Sequence, residues 1–227
     1  HSSHRRQRQM CIRDRSFVSL IKDKFQAEIL SDLEETVREE VIHYLGYNFV
    51  ANLLLKLDTD DAVHVIEDLE DDEKNIILQK VPINEREEIK SSLNYPDDSA
   101  GRLMNLDFVS LPPHWNVGQA IDFLRSNVEL PNEFYEIYLV DPSNKPQGAL
   151  LLSSLLRSDR DINLQDIKSN HFVTINSDLD KEIVAIEFER FDLVSAPVVD
   201  KNGRLIGVIT ADAVSYTHLR AHETRRY

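Results

Sequence analysis

LVDPSNKPQGALLL at residues 139–152 and VVDKNGRLIGVITA at residues 198–211 are one pattern written twice. They superpose at a constant shift of 59, which sets Asp141 against Asp200 and Gly148 against Gly207. Each reads as an apolar, β-rich strand, a polar turn and a second apolar strand. Upstream, FVSL at 108–111 and FVTI at 172–175 superpose at a shift of 64. The larger shift predicts a longer loop in the first copy, between Leu124 and Tyr135. Between these strands, residues 116–127 place Val117, Ala120, Ile121 and Leu124 on one helical face, and residues 180–191 do the same with Val184, Phe188 and Phe191. The second half of the chain is therefore a strand, helix, strand, turn, strand unit made twice. Trp115, in LPPHWNV before the first of these helices, reads as a packing anchor.

The first half has another texture. Leu45, Leu57, Leu69, Val81 and Leu93 stand twelve residues apart, and Leu53, Val65, Ile77 and Ile89 repeat at the same interval. Units open at Asp58, at Glu70 with Asp71, and at Pro82, with acidic residues in the first turn, where they complement the helix dipole. The pattern predicts helices of about two turns, each too short to bury its apolar stripe alone, stacked into a small superhelix. Residues 16–43 read as a longer lead-in helix carrying Leu30, Leu33, Val37 and Val41. NYPDDSA at 94–100 interrupts the helical pattern with a proline and is the expected linker.

Charge narrows the functions available. The chain of 227 residues carries a formal net charge of −14. Residues 1–15 contribute +4 and residues 215–227 contribute +2, so residues 16–214 carry −20. That excludes a nucleic-acid binder working by bulk charge. One cysteine, Cys11, excludes a disulfide framework. RQRQMCIRDR and VSYTHLRAHETRRY at the two ends resemble translated adapter read-through and are expected to be non-native flanks. The longest apolar run is far short of a membrane span. No GxSxG, P-loop, GxGxxG or HExxH motif is present, and no enzyme is expected.

The duplicated half resembles a pair of CBS (cystathionine β-synthase-type) domains. With YPDDSAGRLM leading into it and an acidic short-helix repeat before it, residues 16–214 resemble the cytosolic part of the MgtE family of magnesium channels and transporters. The resemblance implies an α+β chain. Its parts are a helical, superhelical N-terminal domain at 16–94, a linker at 95–100, a first CBS domain at 101–160 and a second at 161–214. It also implies a homodimer through the CBS domains, with the helical faces at 117–124 and 184–191 available for contact. A membrane pore from the same polypeptide, not contained here, would place the region at the cytoplasmic face of the membrane.

Clustered carboxylates carry the expected chemistry: Asp58, Asp60 and Asp61, then residues 67–73, then the acidic residues from Asp178 to Asp192. Magnesium keeps several waters and takes one or two carboxylates, so it suits donors from separate elements. By the resemblance, Mg2+ is the ligand and the matching metal positions are Asp60, Asp61, Asp180, Glu182 and Asp192, with Asp212 beside them. Asp60, His64 and Asp68 have a spacing that suits a transition metal, although His64 reads better as a surface side chain. An adenine nucleotide is the alternative ligand. The adenosine pocket of CBS domains uses a strand-end hydroxyl, here Thr210, and a carboxylate three residues later, where this chain has Ala213, with Asp212 one residue early. The first copy has Leu151 and Ser154 at those places. A scaffold with no ligand is the third reading.

Overall fold

The structure is a computed structural model that describes residues 23–131, 134–169 and 172–215. The flank residues 1–15 and 216–227, and the expected helix start at 16–22, lie outside the described residues. The chain divides into two compact units, one ending at Asn94 and the other beginning at Tyr95.

Among its described residues the first unit has helices and no strand. After α1 (Asp23–Asp32) and α2 (Glu35–Leu45), helices α3 (Tyr47–Leu54), α4 (Thr59–Ile66), α5 (Asp71–Leu78) and α6 (Ile83–Leu93) start at the interval of the apolar repeat. Their N-caps, Gly46, Asp58, Glu70 and Pro82, keep the same spacing. Neither Asp58 nor Glu70 makes a side-chain cap bond, so the acidic first turns act through the helix dipole. Gly46 ends α2 and opens α3 with φ of +81°, a conformation only glycine adopts freely, and so turns the corner between them. Leu53, Val65, Leu69, Ile77, Val81 and Ile89 are buried in one core, with Leu45, Leu57 and Leu93 at its edge. α3 packs on α5 and α4 on α6, as a superhelix of short units requires. The single lead-in helix expected at 16–43 is two helices, α1 and α2. The chain breaks at Leu33 and Glu34, where the Leu33 carbonyl accepts from Arg38 Nη1 at 3.3 Å.

The second unit opens with α7 (Ala100–Leu103) and continues with β1 (Val109–Leu111), α8 (Val117–Ser126), β2 (Glu136–Val140), β3 (Pro146–Leu151), α9 (Leu152–Arg157) and α10 (Leu164–Ile167). It closes with β4 (Ile175–Asn176), α11 (Lys181–Phe191), β5 (Ser195–Val199) and β6 (Leu205–Thr210). Two three-stranded sheets result, ordered β1-β2-β3 and β4-β5-β6, each with one parallel and one antiparallel pair. Even their irregularities repeat at the shift of 59, after Leu139 in one and after Val198 in the other. The two turns correspond as well. Asp141 Oδ1 accepts from the Ser143 and Lys145 amides, and Asp200 Oδ1 from those of Asn202 and Arg204. Backbone amides bonded to Asp200 hold its carboxyl below the usual carboxylate range. Asn144 and Gly203 occupy equivalent positive-φ positions. The expected longer loop of the first copy falls between Ser126 and Glu136, where residues 127–131 and 134–135 are described, against 192–194 in the second. α8 is fixed by a capping box between Asn116 and Gln119. Trp115 packs on the first copy's core, edge-on to Phe123 at 5.6 Å.

Residues 95–105 belong structurally to the second copy. The Ala100 and Gly101 amides donate to the Leu179 and Ser177 carbonyls, Lys181 N donates to Asp98 O, and Asn105 exchanges backbone bonds with Val208. Ala100 and Met104 are buried in the core of the second copy. One ion pair pins the segment further, Lys181 holding Asp98 at 2.5 Å, while Arg102 holds Asp97 within the segment itself. A Cβ at Gly207 would lie 2.8 Å from Met104 Sδ and 3.0 Å from Asn105 O, so the segment approaches β6 closely only over a glycine.

Candidate metal and ligand sites

Asp60 and Asp61 stand in the first turn of α4, next to the N-cap Asp58. Asp60 Oδ1 is buried and has no hydrogen-bond partner among the described residues. Burial, and then repulsion from Asp61 and Asp58, push its carboxyl well above the usual carboxylate range. An orphaned carboxylate oxygen beside two further carboxylates is a donor set that fits a hard cation keeping most of its waters. Among the described residues, no three or more His, Cys, Asp or Glu side chains are grouped so that they could hold a metal ion.

His64 is neither a surface side chain nor placed to join Asp60 in holding a metal. Its Nε2 accepts from Arg38 Nη1 at 2.8 Å, since arginine can only donate, and its Nδ1–H therefore donates to Glu67 Oε1 at 2.6 Å. Arg38, 1% exposed, also donates from Nη2 to Asp68 Oδ2 at 2.5 Å. Both ring nitrogens of His64, and one oxygen of Asp68, are engaged in joining α2 to α4 and the corner after it. Sequence reasoning missed Arg38. Its signal was an arginine one residue after Val37 in an apolar stripe, with His64 and Asp68 near enough in the repeat to meet it.

A second polar triad joins α2, α3 and α5. Glu73 Oε1 accepts from Tyr47 OH at 2.6 Å and meets His43 Nε2 at 2.6 Å. These bonds hold the Glu73 carboxyl below its usual range and raise the Tyr47 hydroxyl. A group depressed in the folded state stabilises it above the unfolded value, near pH 4.3, and that contribution is lost as pH falls through the folded value. Thermal melts of wild type and Glu73→Gln between pH 3 and 7 are expected to show wild type losing its margin over the variant below about pH 4. Parallel curves would remove Glu73 from the acid response.

In the second copy, Asp180 is the N-cap of α11, its Oδ1 accepting from the Glu182 amide at 2.8 Å. Asp192 is the C-cap at the other end, in the left-handed conformation with φ of 51°. At a 1.5 Å rise per residue the two lie about 18 Å apart, so no single ion joins them. Asp180 and Glu182 share a helix start, where the dipole favours carboxylates; Asp192 sits where it favours a cation. Asp178 is paired with Lys201 at 3.1 Å. Asp212 lies in the helical residues 211–215 that follow β6.

Thr210, the last residue of β6, is directly opposite Ser195 in the β5–β6 ladder. Ser195 Oγ donates to Glu136 Oε2, and Tyr138 OH lies 2.6 Å from Ser195 Oγ. Glu136 and Ser195 are themselves equivalent at the shift of 59, so two corresponding residues of the duplicated fold touch each other, which places them on its pseudo-twofold axis. Tyr138 is 1% exposed, and burial, together with Glu136, pushes its hydroxyl up, although the Ser195 bond lowers it. A second link between the copies is Asn144 Nδ2 donating to Leu205 O at 2.8 Å. The sequence reading missed Glu136, since it sought a carboxylate only downstream of each strand-end hydroxyl.

Comparison with known proteins gives these sites their context. Residues 13–98 match the MgtE intracellular N domain, and residues 164–215 match the CBS domain. The magnesium transporter MgtE of Bacillus subtilis is 27% identical over 187 residues, 82% of this chain and 42% of that protein. The MgtE of Thermus thermophilus is 33% identical over 129 residues, 57% of this chain and 29% of that protein. The chain thus spans less than half the length of the curated relatives it matches, which are transporters. Among solved structures, the cytosolic domain of the Mg2+ channel MgtE in complex with ATP superposes with a TM-score of 0.82 at 26% identity, covering 91% of this chain and 85% of that one. The soluble part of a magnesium transporter has a TM-score of 0.74 at 23% identity, with 95% and 94% covered, and shares the fold. No helix among the described residues is long and apolar enough to cross a membrane.

Proposed function

Since the chain belongs to the MgtE family, with its intracellular N domain and its CBS module, we propose that it is the cytosolic region that senses magnesium and gates a membrane pore of the same polypeptide. The observation that carries this reading is the orphaned Oδ1 of Asp60 between Asp58 and Asp61. Asp60 and Asp61 would hold one hydrated ion, and Asp180 with Glu182, or Asp192, others. Bound magnesium supplies positive charge where the carboxylates repel. Without it, like charge across a net −20 segment favours an open arrangement of the units; relief of that repulsion favours a compact one, and the shift equals the ion's differential affinity for the two states. Small-angle scattering and limited proteolysis, at constant ionic strength, are expected to show magnesium shrinking the particle and slowing cleavage near Asn94. Calcium is expected to act less well. Equal size and equal cleavage with and without magnesium would overturn the reading.

The dimer expected of a CBS pair has a candidate face. Val117, Ala120, Val184 and Phe188, on the faces expected to make the contact, are buried in their own cores. The free side of α11 instead presents Ile183 and Ile186, 45% and 58% exposed, with Phe191 at its end. Sedimentation is expected to give a dimer at tens of micromolar and a monomer for Ile186→Glu. A monomeric wild type would remove the assignment.

Nucleotide sensing is the second reading. It is supported by the ATP complex of the structurally similar MgtE cytosolic domain and by the position of the Thr210 hydroxyl at the strand end, opposite Ser195.

A further inference from the structure

The tip of the β5–β6 hairpin carries a chemistry of its own. Asn202 and Gly203 form the sole Asn-Gly pair in the sequence. The Gly203 amide donates to Asp200 O at 2.9 Å, closing a β-turn, and Gly203 itself lies in the left-handed region with φ of +77°. The Asp200 amide donates to Arg204 O at 2.9 Å, so this is the hairpin link in which a β-turn is followed by a left-handed residue, a place that favours glycine. Asn202 is exposed, and its Nδ2 donates to Asp200 Oδ2 at 3.3 Å. Beyond its chain neighbours, a Cβ at Gly203 would find nothing nearer than Lys145 Cε at 4.0 Å, so little crowds the Gly203 backbone. Asparagine is a labile residue, and most so before glycine, because no side chain hinders the next backbone nitrogen from reaching the carboxamide carbon.

We propose that Asn202 is a self-modifying residue, converted by its own backbone and water to aspartate and isoaspartate when this turn opens. The Gly203 nitrogen gives its proton to solvent base and forms a bond to Asn202 Cγ. The Cγ–Nδ2 bond breaks, and Nδ2 takes a proton from water and leaves as ammonia. The five-membered imide then takes up one water. Opening at Cγ gives aspartate; opening at the Asn202 backbone carbonyl gives isoaspartate, whose main chain runs through Cβ and Cγ. The native turn restrains the first step, since Asp200 O holds the attacking nitrogen and Asp200 Oδ2 holds the leaving one. The first copy is an internal control. Its turn has the same backbone bonds, Asn144 N to Asp141 O and Asp141 N to Lys145 O, but sets Ser143 and Asn144 where Asn202 and Gly203 stand. Asn144 Nδ2 donates to Leu205 O at 2.8 Å, and Leu205 N donates to Asn144 O at 2.8 Å. These bonds clamp the start of β6 to the first copy and so restrain the turn that precedes it. After conversion a carboxylate stands where Nδ2 faced Asp200 Oδ2, and attraction becomes repulsion. Isoaspartate also lengthens the main chain before Gly203. The product therefore loosens the clamp between the copies.

Peptide mapping by mass spectrometry tests it, on the full chain incubated at mildly alkaline pH and sampled over weeks. The peptide bearing Asn202 is expected to gain the mass of an amide becoming an acid and to split into aspartate and isoaspartate forms, while Asn144 stays intact. The folded chain is expected to convert about ten-fold more slowly than the same chain in guanidinium chloride. Asn144→Gly keeps the left-handed position and deletes the clamping bond from Nδ2; it is expected to convert about three-fold faster than wild type. Hydrogen exchange at the Leu205 amide is expected to rise in the converted fraction. An Asn202 that stays intact in the folded chain while the denatured chain converts would overturn the proposal, and this comparison needs no variant. Equal rates in the two states, or an Asn144→Gly rate equal to wild type, would overturn control by the turn. Unchanged exchange at Leu205 would overturn the loosening of the clamp.

Discussion

Replacing Arg38 with Met is expected to destabilise the helical unit by about 3 kcal/mol, more than any other single polar substitution in it. The guanidinium is buried and makes bonds to three partners at once: the Leu33 carbonyl at the break before α2, His64 Nε2 and Asp68 Oδ2. A methionine fills much of the volume, so the loss measured is that of the bonds and of the partners left behind. Asp68 is one-third exposed and recovers water, which keeps the cost at the lower end for a broken buried pair. Asp68→Asn is accordingly expected to cost only about 1 kcal/mol. Urea unfolding followed by circular dichroism gives both numbers, and a midpoint for Arg38→Met equal to wild type would show the network to be dispensable.

Asp60→Asn is expected to move stability the other way and to weaken the magnesium response with it. Its carboxyl titrates above the unfolded value because burial, then Asp61 and Asp58, oppose the charge. A carboxyl whose folded value is raised binds its proton more tightly in the native state. It therefore costs nothing at low pH, and its penalty grows as pH rises through the unfolded value near 3.9 toward the folded one. The neutral amide escapes that penalty, so at pH 7 without magnesium the variant should be more stable than wild type by about 2 kcal/mol. Added magnesium should raise the melting temperature of wild type by more than that of the variant, which keeps only the carboxylates on α11, since the ion stabilises only through a site present in the folded state. A variant no more stable than wild type, or one that gains as much from magnesium, would take Asp60 out of the site.

Much of the fold was legible because its signals are local. A strict interval in apolar residues became a strict interval in helix starts, and the apolar face at Val117, Ala120, Ile121 and Leu124 became that of α8. A constant shift between two stretches became two sheets with matching registers. The break between α1 and α2 was hidden, because it depends on a carbonyl taken by Arg38 rather than on any glycine or proline. The docking of residues 95–105 on the second copy was hidden for a related reason: NYPDDSA looks like a linker, and its partners at 177–181 are distant in sequence. For the sites, residue type was readable and convergence was not. Asp180 and Asp192 look like one acidic cluster on paper, yet a helix holds them at opposite ends. Glu136 looks like an ordinary strand-edge carboxylate until the second copy brings Ser195 against it.

The attachment of residues 95–105 to the second copy also sets an order of events during synthesis. The helical unit is built from neighbours in sequence, and its core can close as soon as α6 has left the ribosome. α7 emerges next and finds nothing to bind. The carbonyls of Ser177 and Leu179, and the β6 strand that pairs with Asn105, are made only after the whole first copy has been translated. Until then Ala100 and Met104 remain exposed to water, and the first copy must fold without the segment that precedes it. The first of the two copies is closed by residues 160–169, which leave the ribosome directly after it, whereas the second is completed by a piece of chain that has been waiting for it.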